Sequence, residues 1–347
     1  MNSNNSLQPT SLDWRETIRK NNHKTFMVIF LFFLIYFALG LLVDVYLYSG
    51  THDSMYGRPS ISEIVIALLT FKLFPIATLI MLGIAGISLL ITYSAYDKIM
   101  LLGTDYHEID PNNFLNLTEK QLYNVVEEIK IAAGLRFMPR VYIIEAEYMN
   151  AFASGYSEKS AMVAITRGLM AKLNRAELQA VMAHEISHIR HMDIKLTLTA
   201  SILANLMVIV LDLLFYNALF SRRSDRNNGL AIVIMVLRYL LPILNILLLL
   251  YLSRTREYSA DAGCVELMRD NQSLATALLK INTDHEANAA AYDQAYKSTP
   301  HENVRREAYI FDPIQAGIES THSFSDLFST HPSLADRLKA IGFIFNK

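Results

Sequence analysis

The sequence predicts an α+β, mostly helical protein that joins a small mixed domain to four apolar stretches of membrane-crossing length. Three observations carry this. Of 347 residues, 52% are hydrophobic and only 18% charged, an apolar excess for a soluble chain. Between the second and third apolar stretches, helical periodicity alternates with short β-rich runs. One helical segment there reads His184-Glu185-Ile186-Ser187-His188.

The apolar stretches come in two pairs. Residues 25–43 are uncharged and long enough to cross a bilayer. Residues 73–96 form the second stretch, edged by Lys72 and Asp97. Residues 196–220 form the third, interrupted by Asp212, and residues 230–252 the fourth, carrying Arg238 and Pro242. A mid-span ionisable group is costly and usually faces protein or water. Pairing of Asp212 with Arg238 across a hairpin accounts for both; a core hairpin dipping only partly into the membrane is the alternative. Residues 1–24 are mostly polar and no A-x-A-like site ends the first stretch, so it reads as an uncleaved anchor.

Basic residues orient the chain. Arg15, Arg19, Lys20 and Lys24 precede the first span, whereas the loop after it holds only Arg58. Lys98, Arg190, Lys195, Arg254 and Arg256 fall on the same side as the amino terminus. This side is therefore cytoplasmic, and both His188 and Glu257 lie on it. Arg222, Arg223 and Arg226 lie on the outer side and disagree.

Residues 97–195 read as a compact α+β region. Residues 118–133 form an amphipathic helix, opened by Thr118 and Gln121 as a capping box. Residues 140–145 and 160–166 are strand-like, with Asn150-Ala151-Phe152-Ala153 between them. An extended peptide adds to an exposed sheet edge as a further strand. The backbone near residues 150–153 suits that role, with Asn150 adding a side-chain amide; an ordinary turn is the plainer reading. A helix over 254–268, a helical stretch to about residue 290 and a polar segment over 292–323 follow. That polar segment lacks periodicity and reads as a mobile loop over the site.

Asn174 and Glu177 form a capping box ahead of an apolar stripe of Leu178, Val181, Met182, Ile186 and Ile189, which places His184 and His188 in a helix. Residues four apart share a helical face, so both imidazoles converge on one metal ion. Glu185, one position on, is placed to take a proton from a water that the ion polarises. This is the minimal apparatus of a zinc-dependent hydrolase. A catalytic zinc ion needs a third protein ligand. Glu257 and Asp261 share a helical face and offer it: one carboxylate binds the metal, the other accepts the free N–H of a ligating histidine. Cys264, the only cysteine, excludes an intrachain disulfide and a Cys-based zinc site and reads as a small core residue. A net charge of −2 argues against nucleic acid as a partner.

Met149-Asn150-Ala151-Phe152-Ala153-Ser154-Gly155, His184-Glu185-Ile186-Ser187-His188, Glu257-Tyr258-Ser259-Ala260-Asp261 and Ser329-Thr330-His331-Pro332 occur in this order. In that order the chain resembles the HtpX-type membrane zinc endopeptidases, relatives of the type I CAAX prenyl proteases. The resemblance covers almost everything from residue 25 and implies a zincin-like metalloprotease domain with a gluzincin-like site. It implies that Glu257 is the third ligand of one Zn2+ per chain and that Asp261 orients a ligating histidine. It further implies that His331 hydrogen-bonds the tetrahedral intermediate and that Arg337 supports this corner. Expected substrates are polypeptides, chiefly misfolded membrane proteins, and the expected place is a bacterial inner membrane with the active site in the cytoplasm. His191, three beyond His188, is expected to be exposed.

The implied organisation is a cytoplasmic extension over 1–24, a first hairpin over 25–96, a protease domain from 97–195 and 253–347, and a second hairpin over 196–252. A CAAX prenyl protease is the nearest rival, though such enzymes enclose a chamber with about seven spans. A structural zinc protein is another rival; its fourth ligand would come from Asp284-His285-Glu286, which otherwise reads as a solvated helix end.

Overall fold

The computed structural model describes residues 8–9, 14–51, 60–155, 157–220, 228–298, 308–311 and 331–344. Chain contacts divide it into two compact units. One comprises Met1–Thr25, Tyr93–Leu196 and Leu250–Lys347; the other comprises Phe26–Thr92 and Thr197–Leu249.

In order, the elements are β1 (Gln8–Pro9), α1 (Trp14–Thr51), α2 (Ile61–Leu69), α3 (Ile76–Leu101), β2 (Tyr106–Glu108), α4 (Leu117–Ala133), β3 (Arg140–Ile144), β4 (Ala151–Ser154) and β5 (Met162–Thr166). After these come α5 (Arg167–Lys172), α6 (Arg175–His191), α7 (Asp193–Phe220), α8 (Asn228–Met268), α9 (Gln272–Ala287), α10 (Ala289–Ser298), α11 (Leu334–Ala340) and β6 (Phe343–Ile344).

Among the described residues, three helices are long and apolar enough to cross a membrane: Arg19–Ser49, Asp193–Asn217 and Ile232–Met268. The second apolar stretch falls in α3, whose described apolar run, Ile76–Ile91, is shorter. Two ionisable side chains of these helices, Asp44 and Arg238, have partners. Asp44 accepts from the Ala77 and Thr78 amides at 2.8 and 3.0 Å and from the Thr78 hydroxyl at 2.7 Å. It thereby caps the open N–H groups of α3 from another helix. Arg238 Nε donates to Asp212 Oδ1 at 2.7 Å, and its guanidinium lies over the Phe215 ring. The pair drawn from sequence across α7 and α8 is therefore present. Pro242 sits inside α8 without ending it. The fourth apolar stretch and the helix read over 254–268 are one continuous helix.

The other unit holds a four-stranded sheet in the order β2-β3-β5-β4. β3 and β5 are parallel; β2 and β4 run antiparallel to their neighbours. β4 is therefore an edge strand. Val141, Ile143, Val163 and Ile165 of the sheet share one buried core with Leu122, Val126, Val181 and Met182 of α4 and α6. β1 pairs with β6.

α4 starts earlier than the predicted Thr118–Gln121 box. Asn116 is its cap and accepts the Glu119 N–H at 2.9 Å. Asparagine caps better than threonine. The buried Glu119 carboxylate also takes the Leu115 amide at 3.0 Å and stands 3.1 Å from His107 Nε2. At α6 the predicted box is present: Asn174 and Glu177 exchange bonds of 2.9 and 3.0 Å. Of the polar segment over 292–323, residues 292–298 are the end of α10 and 308–311 are described; the remainder lies outside the described residues, as do Arg58, Arg222, Arg223 and Arg226.

Candidate metal centre

On α6, His184 Nε2 and His188 Nε2 stand 3.1 Å apart. From α8, Glu257 Oε2 is 3.7 Å from His184 Nε2 and Oε1 is 3.5 Å from His188 Nε2. Among the described residues, these three form the group whose ligand atoms are close enough to hold a metal ion. Three ligands about 2.05 Å from a tetrahedral ion stand about 3.3 Å from one another. The observed separations bracket that figure, so the residues fit such an ion. Burial lowers the pKa of His188 to about 3, against the pull of Glu257, with Arg256 nearby adding to the lowering. The neutral imidazole is the form that ligates.

The position of Glu257 depends on a close helix crossing. A Cβ on Gly263 would stand 2.6 Å from Ser187 Oγ. The absent side chain lets α8 approach the histidine helix.

The two carboxylates left open by their spacing take different places. Glu257 faces the Nε2 atoms, whereas Asp261 Oδ1 is 3.0 Å from the opposite ring nitrogen of His184. Arg337 grips Asp261 with two bonds, Nε to Oδ2 at 2.9 Å and Nη2 to Oδ1 at 2.6 Å. His331 Nδ1 is 3.4 Å from Glu257 Oε2, and the residue is buried; Ser329 and Thr330 lie outside the described residues.

Glu185 is buried with neither oxygen in a hydrogen bond of ordinary geometry. Burial, then the charge of Glu257, raises its pKa well above the carboxylate range; Arg337 and the Ala153 N–H act against them. A buried carboxylate held this loosely is costly, and such groups cluster where chemistry uses them.

The spacing of motifs did not reveal Asp193 or Arg256. Met192 ends α6 with φ of 56°, a left-handed turn that a non-glycine residue rarely makes. That turn brings Asp193 back to His188, with Oδ2 2.8 Å from Nδ1. Arg256, read from sequence only as a topology signal, is buried and ion-paired with Asp193.

The four edge residues lie on or beside β4. Ala151, Phe152 and Ala153 are in the strand, and Asn150 precedes it; all are buried. The Asn150 carboxamide donates to the Tyr296 hydroxyl at 3.2 Å and to the Phe311 carbonyl at 3.0 Å. His191 is half-buried with its ring against the Gly263 position, not exposed as expected, because α8 crosses there. His285 is likewise no solvated helix end: it is buried, with Nδ1 2.9 Å from the Ile281 carbonyl and Nε2 3.1 Å from the Tyr296 hydroxyl. Cys264 is a core residue, its thiol donating to the Ala180 carbonyl at 3.2 Å.

Histidines and a carboxylate converging beside a buried glutamate, on a chain with membrane-length helices, define a membrane metalloprotease. The family model for peptidase family M48 matches residues 116–343, and the chain belongs to that family. It is similar to a protein named protease HtpX homolog from Helicobacter pylori, 36% identical over 95% of this chain and 98% of that one. A second protease HtpX homolog, from Dictyoglomus thermophilum, is 37% identical over 72% of this chain and 77% of that one. Among solved structures, the crystal structure of S. mikatae Ste24p matches with a TM-score of 0.51 at 18% identity, covering 80% of this chain and 60% of that chain. That likeness is one of fold.

Proposed function

We propose that this metalloprotease is a zinc-dependent endopeptidase, with one Zn2+ held by His184, His188 and Glu257. The observation that carries this is the convergence of those three ligands beside the buried carboxylate of Glu185. When bound, zinc supplies a Lewis acid that polarises water and the scissile carbonyl. Glu185 takes the proton of the attacking water and passes it to the leaving amine. His331 donates a hydrogen bond to the developing oxyanion. Asp261 and Asp193 hold the Nδ1 protons of His184 and His188, turning both Nε2 atoms inward. Ala151 and Ala153 offer main-chain groups to an extended substrate, and Arg337 fixes the corner behind them.

Residues 97–195 and 253–347 then make up the catalytic domain, 25–96 and 196–252 the membrane hairpins, and 1–24 a cytoplasmic extension. Basic residues flanking the spans support an active site in the cytoplasm. The relatives named protease HtpX homolog come from bacteria, which supports a bacterial membrane and polypeptide substrates; we place the chain in the inner membrane, acting on misfolded membrane proteins. A structural zinc site would lack a fourth ligand among the described residues.

Glu185→Gln tests the mechanism. The purified variant retains zinc, while its kcat on denatured protein falls about 100- to 10,000-fold. A variant that cleaves like wild type would show that Glu185 is not the base.

A further inference from the structure

The outer edge of β4 is occupied by the chain itself. The Asn150 carbonyl accepts the Thr166 N–H at 2.9 Å and so points at β5. In an antiparallel pair the next residue points the other way, so the main-chain groups of Ala151 face outward. The Ala151 carbonyl accepts the Ile310 N–H at 2.9 Å, and Phe152 and Tyr309 form an antiparallel bridge. The Asn150 carboxamide accepts the Phe311 N–H at 3.3 Å and donates to the Phe311 carbonyl at 3.0 Å. Arg337 Nη1 donates to the Ile310 carbonyl at 2.6 Å. All four main-chain polar groups of Ile310 and Phe311 are thus held, half of them by Asn150 and one by the arginine that also grips Asp261.

This is how a sheet edge holds an extended peptide. The side chains point the same way. Ile310 and Phe311 are buried and line a small cavity with Leu278, Leu334, His331 and Arg337. Two of those four residues belong to the metal corner. One outward carbonyl at Ala151 cannot serve two strands in the same register.

We propose that residues 309–311 are a built-in, substrate-like strand occupying the peptide-binding edge. An extended peptide with an aliphatic side chain at the place of Ile310 displaces them before it is cut. This rests on the peptidase function proposed for the metal centre. Asn150 thereby acquires a defined role, since its carboxamide holds the occupant and passes to the incoming peptide. The buried chain from Asn150 through Tyr296 to His285 keeps that carboxamide in place.

Hydrogen exchange on the zinc-loaded, detergent-solubilised Glu185→Gln chain tests displacement, with unstructured β-casein as the probe. Saturating casein is expected to speed exchange of the amides of residues 309–311. Casein that binds while those amides stay as protected as before overturns the proposal. A second variant, Ile310→Pro in the active chain, removes the N–H given to Ala151. It is expected to raise kcat/KM on casein about fivefold, the equivalent of one main-chain hydrogen bond, through a lower KM. A fall in kcat/KM with an unchanged Tm would make the segment a permanent part of the platform and also overturns it. If Ile310→Pro does not fold, the exchange experiment decides alone. Wild type that neither binds nor cuts casein sinks the peptidase reading, and the displacement proposal with it.

Discussion

Asp193 Oδ2 stands 2.8 Å from His188 Nδ1, and the same carboxylate is ion-paired with buried Arg256. Each ligating histidine of the proposed centre thus has its own carboxylate–arginine support. Asp261 and Arg337 stand behind His184; Asp193 and Arg256 stand behind His188.

Loss of the Asp193 charge is expected to weaken zinc binding. Partners of metal-bound histidines typically contribute 10- to 100-fold in affinity. Asp193→Asn should lose about that much in a chelator competition while its circular dichroism stays native. Wild-type affinity in the variant would reduce Asp193 to a packing residue.

The Asp261–Arg337 pair separates stability from metal affinity. Arg337→Leu takes the guanidinium from the buried Asp261 carboxylate and should cost about 3–5 kcal/mol in denaturant unfolding. The double variant Asp261→Leu with Arg337→Leu should regain much of that stability, yet its zinc affinity should stay low because His184 has lost its orienting acceptor. Equal affinity in the double variant and wild type would rule out an orienting role for Asp261.

Acid should destabilise the chain partly through His285. Burial lowers its pKa, with the Ile281 carbonyl and the Asp284 charge only partly offsetting this. The unfolded histidine titrates near 6.5. The unfolded chain therefore binds the proton first, and stability is lost as pH falls below about 6.5 towards the folded value. His285→Gln should show a shallower fall of Tm between pH 7.5 and 5 than wild type. Parallel Tm profiles would refute the assignment.

A methyl group at position 263 would crowd Ser187. Gly263→Ala should destabilise by about 1–3 kcal/mol through overpacking and weaken zinc binding, since Glu257 moves with α8. Unchanged thermal unfolding and affinity would show that the crossing relaxes freely.

The two histidines and Glu185 were legible because their relation is local: helical period sets which residues share a face, and a capping box sets where the helix starts. The Asp212–Arg238 pair was legible for a related reason, since charges inside apolar runs have few places to go. α4 starts before the predicted Thr118–Gln121 box because Asn116, a better cap than threonine, accepts the Glu119 N–H.

By itself, then, the sequence determined the periodic elements, the membrane-length helices and the face on which His184 and His188 converge. Tertiary structure decided what meets across long separations. The turn at Met192 returns Asp193 to His188, the glycine crossing sets Glu257 opposite the imidazoles, and residues 309–311 lie along β4. No local window encodes these, because they depend on where helices cross and which outward main-chain groups remain to be satisfied.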